Sequence, residues 1–490
     1  MSGPDRGRGR NREGRPARRG TPRRPAPLRP VAGAKPVDRA RRAAFEVLRQ
    51  VHDRGAYANL ALPALLGEWS LSGRDAAFAT ELCYGTLRAT GTLDAVLAAG
   101  SNRPLSKVDG PVRDALRLGA YQLLYTRVPA HAAVSTTVAL ARSASGAGSA
   151  SFANAVLRRV STSDLPGWLE RLAPTDDAAG LAVRYAHPEW IVRALGDALG
   201  GDEGDLTAAL TADNERPAVH LAARPGRTTA AELAERVGGT VGRLSPYAVY
   251  LPGGAPGDLA EIRDGRAQVQ DEGSQLVTLA LADAPLDGPD VRWLDLCAGP
   301  GGKAALLGSL AAQRGARLTA VEVTEHRATL VGKAVAGLPV DVLHADGRTV
   351  GERPELPAGG FDRVLLDAPC TGLGALRRRP EARWRRQESD LDDLVALQRE
   401  LLAAACRAVR PGGLIGYVTC SPHPAETTAQ IAALLADQPG LTQLDARAAL
   451  DAVTPEAVQG LGEGPAVQLW PHRHGTDAMF LALLRRDAGE

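Results

Sequence analysis

Two cysteines sit at positions that suggest chemistry. Leu365-Leu-Asp-Ala-Pro-Cys-Thr-Gly-Leu-Gly374 ends an apolar run in a carboxylate and then sets Cys370 in a Pro/Gly turn. Tyr417-Val-Thr-Cys-Ser-Pro422 repeats the arrangement around Cys420, in a chain with only five cysteines. A thiolate that adds to C6 of a cytosine converts the ring into an enamine, and C5 then becomes nucleophilic enough to take a methyl group. Afterwards the C5 proton must leave and the C6–S bond must break, a labour that two thiols can divide. These residues alone do not say which thiol attacks. A carboxylic acid near N3 would stabilise the adduct, and Asp367 lies three residues before Cys370. Cys297 and Cys406 read as structural and Cys83 as a core residue.

The methyl donor has its own signature. Trp293-Leu-Asp-Leu-Cys-Ala-Gly-Pro-Gly-Gly-Lys303 reads as a strand, a glycine turn and a helix start, where backbone can approach a ligand. A phosphate-binding P-loop fails, because Cys297 and Ala304 occupy positions that need Gly and Ser/Thr; the dinucleotide fingerprint fails at Ala304. Instead, Asp295, Glu322, Asp346 and Asp367 stand at or near the ends of successive strands, and strand carboxyl ends line the crevice of an open parallel sheet. Glu322, 27 residues after Asp295, is placed to accept the hydroxyls of a ribose. Four acids disfavour a phosphate ligand and favour S-adenosylmethionine, which brings a sulfonium, an ammonium and a ribose. Lys303 is one of only four lysines against 54 arginines, which suggests a site wanting a compact ammonium.

These groups need a scaffold of several domains, since 490 residues exceed one ordinary domain. Residues 38–161 read as an all-α bundle; Ala44, Val47, Leu48 and Val51 mark one helix face. Residues 162–265 read as a helical linker and a small α/β module, with Pro188 in a first helical turn and strands near 218–221, 239–244 and 248–251. Residues 266–490 alternate strands (291–296, 317–322, 340–344, 361–367, 413–419) with helices (303–312, 325–336, 391–409, 425–437), and two further strands fall near 466–470 and 478–484. That alternation predicts a Rossmann-like parallel sheet. Residues 1–37 form a basic tail expected to be disordered. Its first 35 residues carry +9, so the net +2 of the chain leaves −7 for the rest. A tail of that charge favours a polyanionic partner such as RNA. With no long apolar run, no signal-peptide pattern and irregular cysteine spacing, a cytoplasmic protein without bound metal is expected.

On these residues the chain resembles the Sun/Fmu (RsmB-type) bacterial 16S ribosomal RNA cytosine-C5 methyltransferases of the nucleolar-protein/Sun superfamily. The matching runs are Val269–Gln275, Asp295–Lys303, Asp367–Gly372, Thr419–Ser421 and Leu469–Asp477, and residues 38–161 resemble the NusB RNA-binding fold. The resemblance implies that Cys420 is the nucleophile and that Cys370 assists product release. It also implies that Cys297, Ala298, Gly299, Pro300, Gly301, Gly302, Lys303, Glu322, Asp346 and Asp367 bind S-adenosylmethionine. Two departures stand out: Gly299 replaces the family's usual Ala, which a tight turn should tolerate, and Glu322 replaces the commoner Asp.

The expected partner is 16S rRNA, free or in a partly assembled small subunit, with the enzyme a monomer away from membranes. The target cytosine must be unpaired or flipped out to expose C6. Arg377–Arg386 follows the Cys370 turn and reads as a phosphate-gripping segment, with Trp384 available for stacking. A NusB-like binding factor with an idle second domain, and a tRNA or DNA methyltransferase, are the competing readings.

Overall fold

The computed structural model describes residues 37–254 and 256–488. The basic tail expected over 1–37 therefore lies, except for Val37, outside the described residues.

The amino-terminal bundle begins with the helix Arg39–Arg54. The Asp38 side chain caps it by accepting from the Arg41 N–H, and Gly55 ends it in the left-handed region at φ 67°. Ala40, Ala43, Ala44, Val47, Leu48 and Val51 recur at helical spacing and are buried. Helices at Gly73–Arg88, Thr90–Gly100, Gly110–Tyr125, Ala130–Ser145 and Ala147–Val160 complete the expected pattern around one core. A further helix, Ala58–Glu68, escaped the periodicity because Pro63 interrupts it. Four helices between Leu165 and Ala212 form the linker, where Pro188 occupies the cap rather than the first helical turn before Glu189–Ala198.

A small antiparallel sheet follows: β1 (Val219–Ala223), β2 (Thr240–Val241), β3 (Ala248–Leu251) and β4 (Ala267–Val269), in the order β2-β3-β1-β4. Only Thr240 and Val241 of the run 239–244 pair, and β4 lies just past residue 265.

The carboxy-terminal sheet contains β5 (Arg292–Asp295), β6 (Arg317–Glu322), β7 (Val340–His344), β8 (Phe361–Asp367), β9 (Val409–Thr419), β10 (Leu441–Leu444), β11 (Val467–Gln468) and β12 (Phe480–Arg486). The order is β10-β12-β9-β8-β5-β6-β7, with β11 on β12. Strands β5 to β9 are mutually parallel, whereas β12 runs antiparallel to β9 and to β10. The Rossmann-like expectation holds. β9 begins earlier than expected because a register shift beside Phe361 draws Val409 into pairing. β10 was unforeseen: a short, polar edge strand lacks the apolar run that marks a central one.

Along β8 all residues from Phe361 to Leu366 are buried, alternating between two cores: Leu365 packs toward helices Glu272–Asp283 and Gly302–Arg314, Leu366 toward Asp390–Ala408. Each such leucine is worth about 1.5–3 kcal/mol of burial, so the strand ends are held on a stiff platform. The chain reverses direction across the sheet between β5 and β8, which opens a crevice at their carboxyl ends.

Candidate active site

The crevice collects the residues the sequence singled out. Adjacent strands β8 and β9 end in the two cysteine turns, and the Cys370 and Cys420 sulfurs lie 3.5 Å apart. Beside them, the Lys303 ammonium donates to Asp367 Oδ2 at 2.8 Å. Burial works against that ammonium, yet the Asp367 carboxylate leaves its pKa above the ordinary lysine value.

The two thiols are not equivalent. A hydrogen bond from Cys370, with help from the charges of Lys303 and Arg379, holds the Cys420 thiol below its ordinary range against burial. The same hydrogen bond, burial, and the carboxylates of Glu426 and Asp367 push Cys370 up. Asp367 raises both thiols, but only Cys420 has Lys303 and Arg379 working in its favour, so Cys420 is the more acidic of the two.

A buried network that the sequence did not advertise stitches the turns together. Glu426 accepts from the Thr371 N–H at 2.8 Å, from the Thr371 hydroxyl, and from Gln398 Nε2 at 3.1 Å. Gln398 also donates to the Pro369 carbonyl at 2.9 Å, Thr371 and Ser421 hydroxyls meet at 3.0 Å, and the Gly374 N–H donates to the Cys420 carbonyl at 2.9 Å. The last contact is a backbone bond between the two turns.

On the other side of the switch point, Asp295 is fully buried and neither of its carboxylate oxygens has a partner. Burial first, then the Asp367 carboxylate and, more weakly, Glu322, push its pKa up to about 7, against Lys303 and the nearby Cys297 N–H, which approaches without hydrogen-bond geometry. Glu322 accepts from the Gly299 N–H at 3.1 Å and the Thr324 N–H at 2.8 Å. Asp346, just past β7, caps the turn Gly347–Thr349, and Arg348 binds its carboxylate and holds its pKa below the usual range.

A family description covering this architecture matches the sequence: 16S rRNA methyltransferase RsmB/F over residues 280–485, with the NusB family over 38–162. Ribosomal RNA small subunit methyltransferase B of Sodalis glossinidius (strain morsitans) is 33% identical over 454 residues, covering 91% of this chain and 97% of its own. The chain belongs to the 16S rRNA methyltransferase RsmB/F family. Rv1407 of Mycobacterium tuberculosis (strain ATCC 25618 / H37Rv), named as a methyltransferase with no substrate specified, is 58% identical over 469 residues, covering 95% of this chain and 99% of its own. The fold is shared with the solved structure of PH0851 at TM-score 0.77 and 23% identity, over 91% of this chain and 98% of that one.

Within this family member the segment Arg377–Arg386 departs from expectation. Arg377 and Arg378 are tied to Asp477 and Asp271, which joins the stretch after the Cys370 turn to the runs around 271 and 477. Arg383 is fully buried and donates to Asn214 Oδ1 and the Asp213 carbonyl at 2.7 Å each, and to the Arg88 and Ala186 carbonyls at 3.3 Å. Burial pulls its pKa down to about 10. Most of this run clamps the catalytic domain to the bundle and the linker instead of gripping phosphate. Arg379 and Trp384 remain exposed, and Arg386 is half-buried with an Nη2 reaching the Cys370 carbonyl at 3.5 Å. Cys83 is core in the bundle, whereas Cys406 is only half-buried. Among the described residues no group of three His, Cys, Asp or Glu is arranged to hold a metal, and no helix is long and apolar enough to cross a membrane.

Proposed function

We propose that the protein methylates C5 of an unpaired cytosine in 16S rRNA, through a transient bond between Cys420 and C6, with S-adenosylmethionine as donor. The observation that carries this reading is the pair of sulfurs 3.5 Å apart beside the Lys303–Asp367 ion pair, at the mouth of an acidic crevice.

The crevice fits the donor on one test in particular. A buried carboxylate with two unpartnered oxygens is costly unless a ligand supplies donors, and Asp295 is such a group. An ammonium would satisfy it, Glu322 at the end of β6 suits a ribose, and the loop Cys297–Lys303 lines the approach. When bound, S-adenosylmethionine supplies an electrophilic methyl group.

The remaining chemistry belongs to the chain. The Cys420 thiolate adds to C6, and the ring electrons move to C5, which takes the methyl group. Lys303 donates to Asp367 Oδ2 at 2.8 Å and so fixes this carboxyl group beside the thiols, where it can hydrogen-bond the N3 edge as charge builds there. Once Cys420 is bonded to carbon it loses its charge, and the largest cause of the raised Cys370 pKa disappears. Cys370 then gives its proton to solvent and, as the thiolate, takes the C5 proton; the C5–H electron pair re-forms the C5=C6 double bond, the C6–S bond breaks and Cys420 leaves as the thiolate.

The small-subunit rRNA named for the relatives supplies the substrate class, and the NusB-like bundle favours it over tRNA or DNA. The test is a pair of substitutions with 16S rRNA and labelled donor. Cys420→Ala abolishes transfer and forms no adduct, whereas Cys370→Ala accumulates a protein–RNA species on a denaturing gel. Adduct from Cys420→Ala instead would exchange the two roles, and adduct from neither would refute covalent catalysis.

A further inference from the structure

The spacing of the two thiols allows a bond that methyl transfer does not use. Strand register pairs Asp367 with Val418, and the Ala368 N–H donates to the Val418 carbonyl at 2.9 Å. Past the turn, the Gly374 N–H donates to the Cys420 carbonyl at 2.9 Å. Two backbone bonds therefore bracket Cys370 and hold its turn against Cys420, and the Thr371–Ser421 hydroxyl contact adds a third tie. The sulfurs so placed are 3.5 Å apart, whereas a disulfide needs about 2.05 Å. Side-chain rotation in the two turns can supply an approach of roughly 1.5 Å.

Access and reactivity fit as well. Both side chains are half-buried, so a small solute entering the crevice reaches them. Cys420 is the more acidic thiol and Cys370 stands beside it, the pairing of a peroxide-reactive cysteine with a resolving one. The other three cysteines differ. Cys83 is sealed in the bundle core. Burial and the carboxylates of Asp295, Asp367 and Glu322 keep Cys297 protonated, and burial pushes Cys406 up to about 11. Among the described residues, Cys370 and Cys420 are the one pair of thiols in hydrogen-bonding contact.

We propose that Cys370 and Cys420 are a site of oxidative modification: a hydroperoxide reaching the resting enzyme joins them in a reversible disulfide that switches methyl transfer off. The Cys420 thiolate attacks one peroxide oxygen, the O–O bond breaks, and the departing oxygen takes a proton and leaves as water or alcohol. Cys420 is then a sulfenic acid. The Cys370 sulfur attacks the Cys420 sulfur, the S–O bond breaks, and the hydroxide leaves with the Cys370 proton as water. Each sulfur is oxidised by one electron, and the two peroxide oxygens are reduced by one each. A dithiol reverses the bond by thiol–disulfide exchange and is itself oxidised. Sulfurs bonded to each other can neither attack C6 nor take the C5 proton. The disulfide follows from the geometry alone, whereas its effect on activity rests on the RNA-methylation reading above.

Full-length protein treated with hydrogen peroxide, alkylated and digested without reductant tests this by mass spectrometry. Peptides holding Cys370 and Cys420 should appear joined, while Cys297 and Cys406 are alkylated as before. Methyl transfer to a 16S rRNA transcript should fall in proportion to the joined fraction and return when dithiothreitol separates it. In Cys370→Ser, the same treatment should leave a Cys420 sulfenic acid that dimedone captures and no joined peptide; in Cys420→Ser, Cys370 should stay alkylatable. Peroxide that leaves both thiols free, joins a different pair, or carries Cys420 past the sulfenic acid without a disulfide overturns the proposal. A joined protein that still transfers methyl groups overturns the switch. Joined peptides from a protein that transfers no methyl group even when reduced support the disulfide and overturn the enzymatic reading instead.

Discussion

Gly299 and Glu322 look like separate departures from the family pattern, but the structure makes them one. A Cβ built on Gly299 would stand 2.0 Å from Glu322 Oε2 and 2.9 Å from Arg327 Nε. The glutamate has little freedom to withdraw, because its two oxygens hold the Gly299 and Thr324 N–H groups at 3.1 and 2.8 Å. Gly299→Ala therefore forces the carboxylate off the loop. Losing a hydrogen bond to a charged group is worth about 1.5–3 kcal/mol. If that loss falls on the donor site, affinity drops by roughly tenfold to a hundredfold. Shortening the side chain by one C–C bond, about 1.5 Å, removes the clash. Glu322→Asp in the Gly299→Ala background should therefore recover most of the affinity, while Glu322→Asp alone strands the Gly299 N–H and weakens binding. Calorimetric titration with S-adenosylmethionine across the four proteins measures the coupling, with thermal melting as the folding control. Purely additive losses, or a Gly299→Ala protein within twofold of wild type, would refute the reasoning.

Three further outcomes follow from the same contacts. Asp295, with its pKa near 7 in the free protein, must ionise to hold an ammonium, so donor affinity rises with pH from about 6 to 8 and binding at pH 6.5 releases protons; calorimetry in buffers of different ionisation enthalpy reads this, and Asp295→Asn removes it. Because that folded pKa lies above the unfolded value of about 3.9, the stability this group contributes is full at low pH and is lost as pH rises through about 7. Glu426→Ala strands the donors of Thr371 and Gln398 at roughly 1–3 kcal/mol each, lowering the melting temperature and kcat more than donor affinity. Deleting residues 1–35 removes +9 of charge and should flatten the salt dependence of RNA binding without changing donor affinity; an unchanged slope would mean the tail makes no phosphate contacts.

The central strands were legible because burial on both faces writes itself as uninterrupted apolar runs, and the strand-end acids and thiols were legible because parallel topology sends every carboxyl end to one crevice. Roles within the crevice were less so. Asp295 was one of four strand-end acids in the sequence, and only the orphaned state of its buried oxygens sets it apart. Glu426 is an ordinary glutamate in Pro424-Ala-Glu-Thr427 until the fold brings it against Thr371, 55 positions away.

Arg377–Arg386 shows why charge patterning misleads at a domain boundary. A run rich in arginine normally reads as a solvated or polyanion-binding face. Here the guanidinium groups of Arg377 and Arg378 meet two carboxylates, and Arg383 meets a ring of carbonyls at the junction of three parts of the chain. Burying Arg383 pulls its pKa down only to about 10, so it remains charged at neutral pH, and its several acceptors offset the desolvation. Sequence composition cannot distinguish a cation that meets phosphate from one that meets backbone. The consequence is mechanical: the clamp begins immediately after the Cys370 turn, so docking of the bundle and placement of the thiol depend on the same stretch of chain. A separated catalytic domain would lose Arg383's contacts with Arg88 and the Glu381 cap on Ala58, and with them a fixed geometry after Cys370.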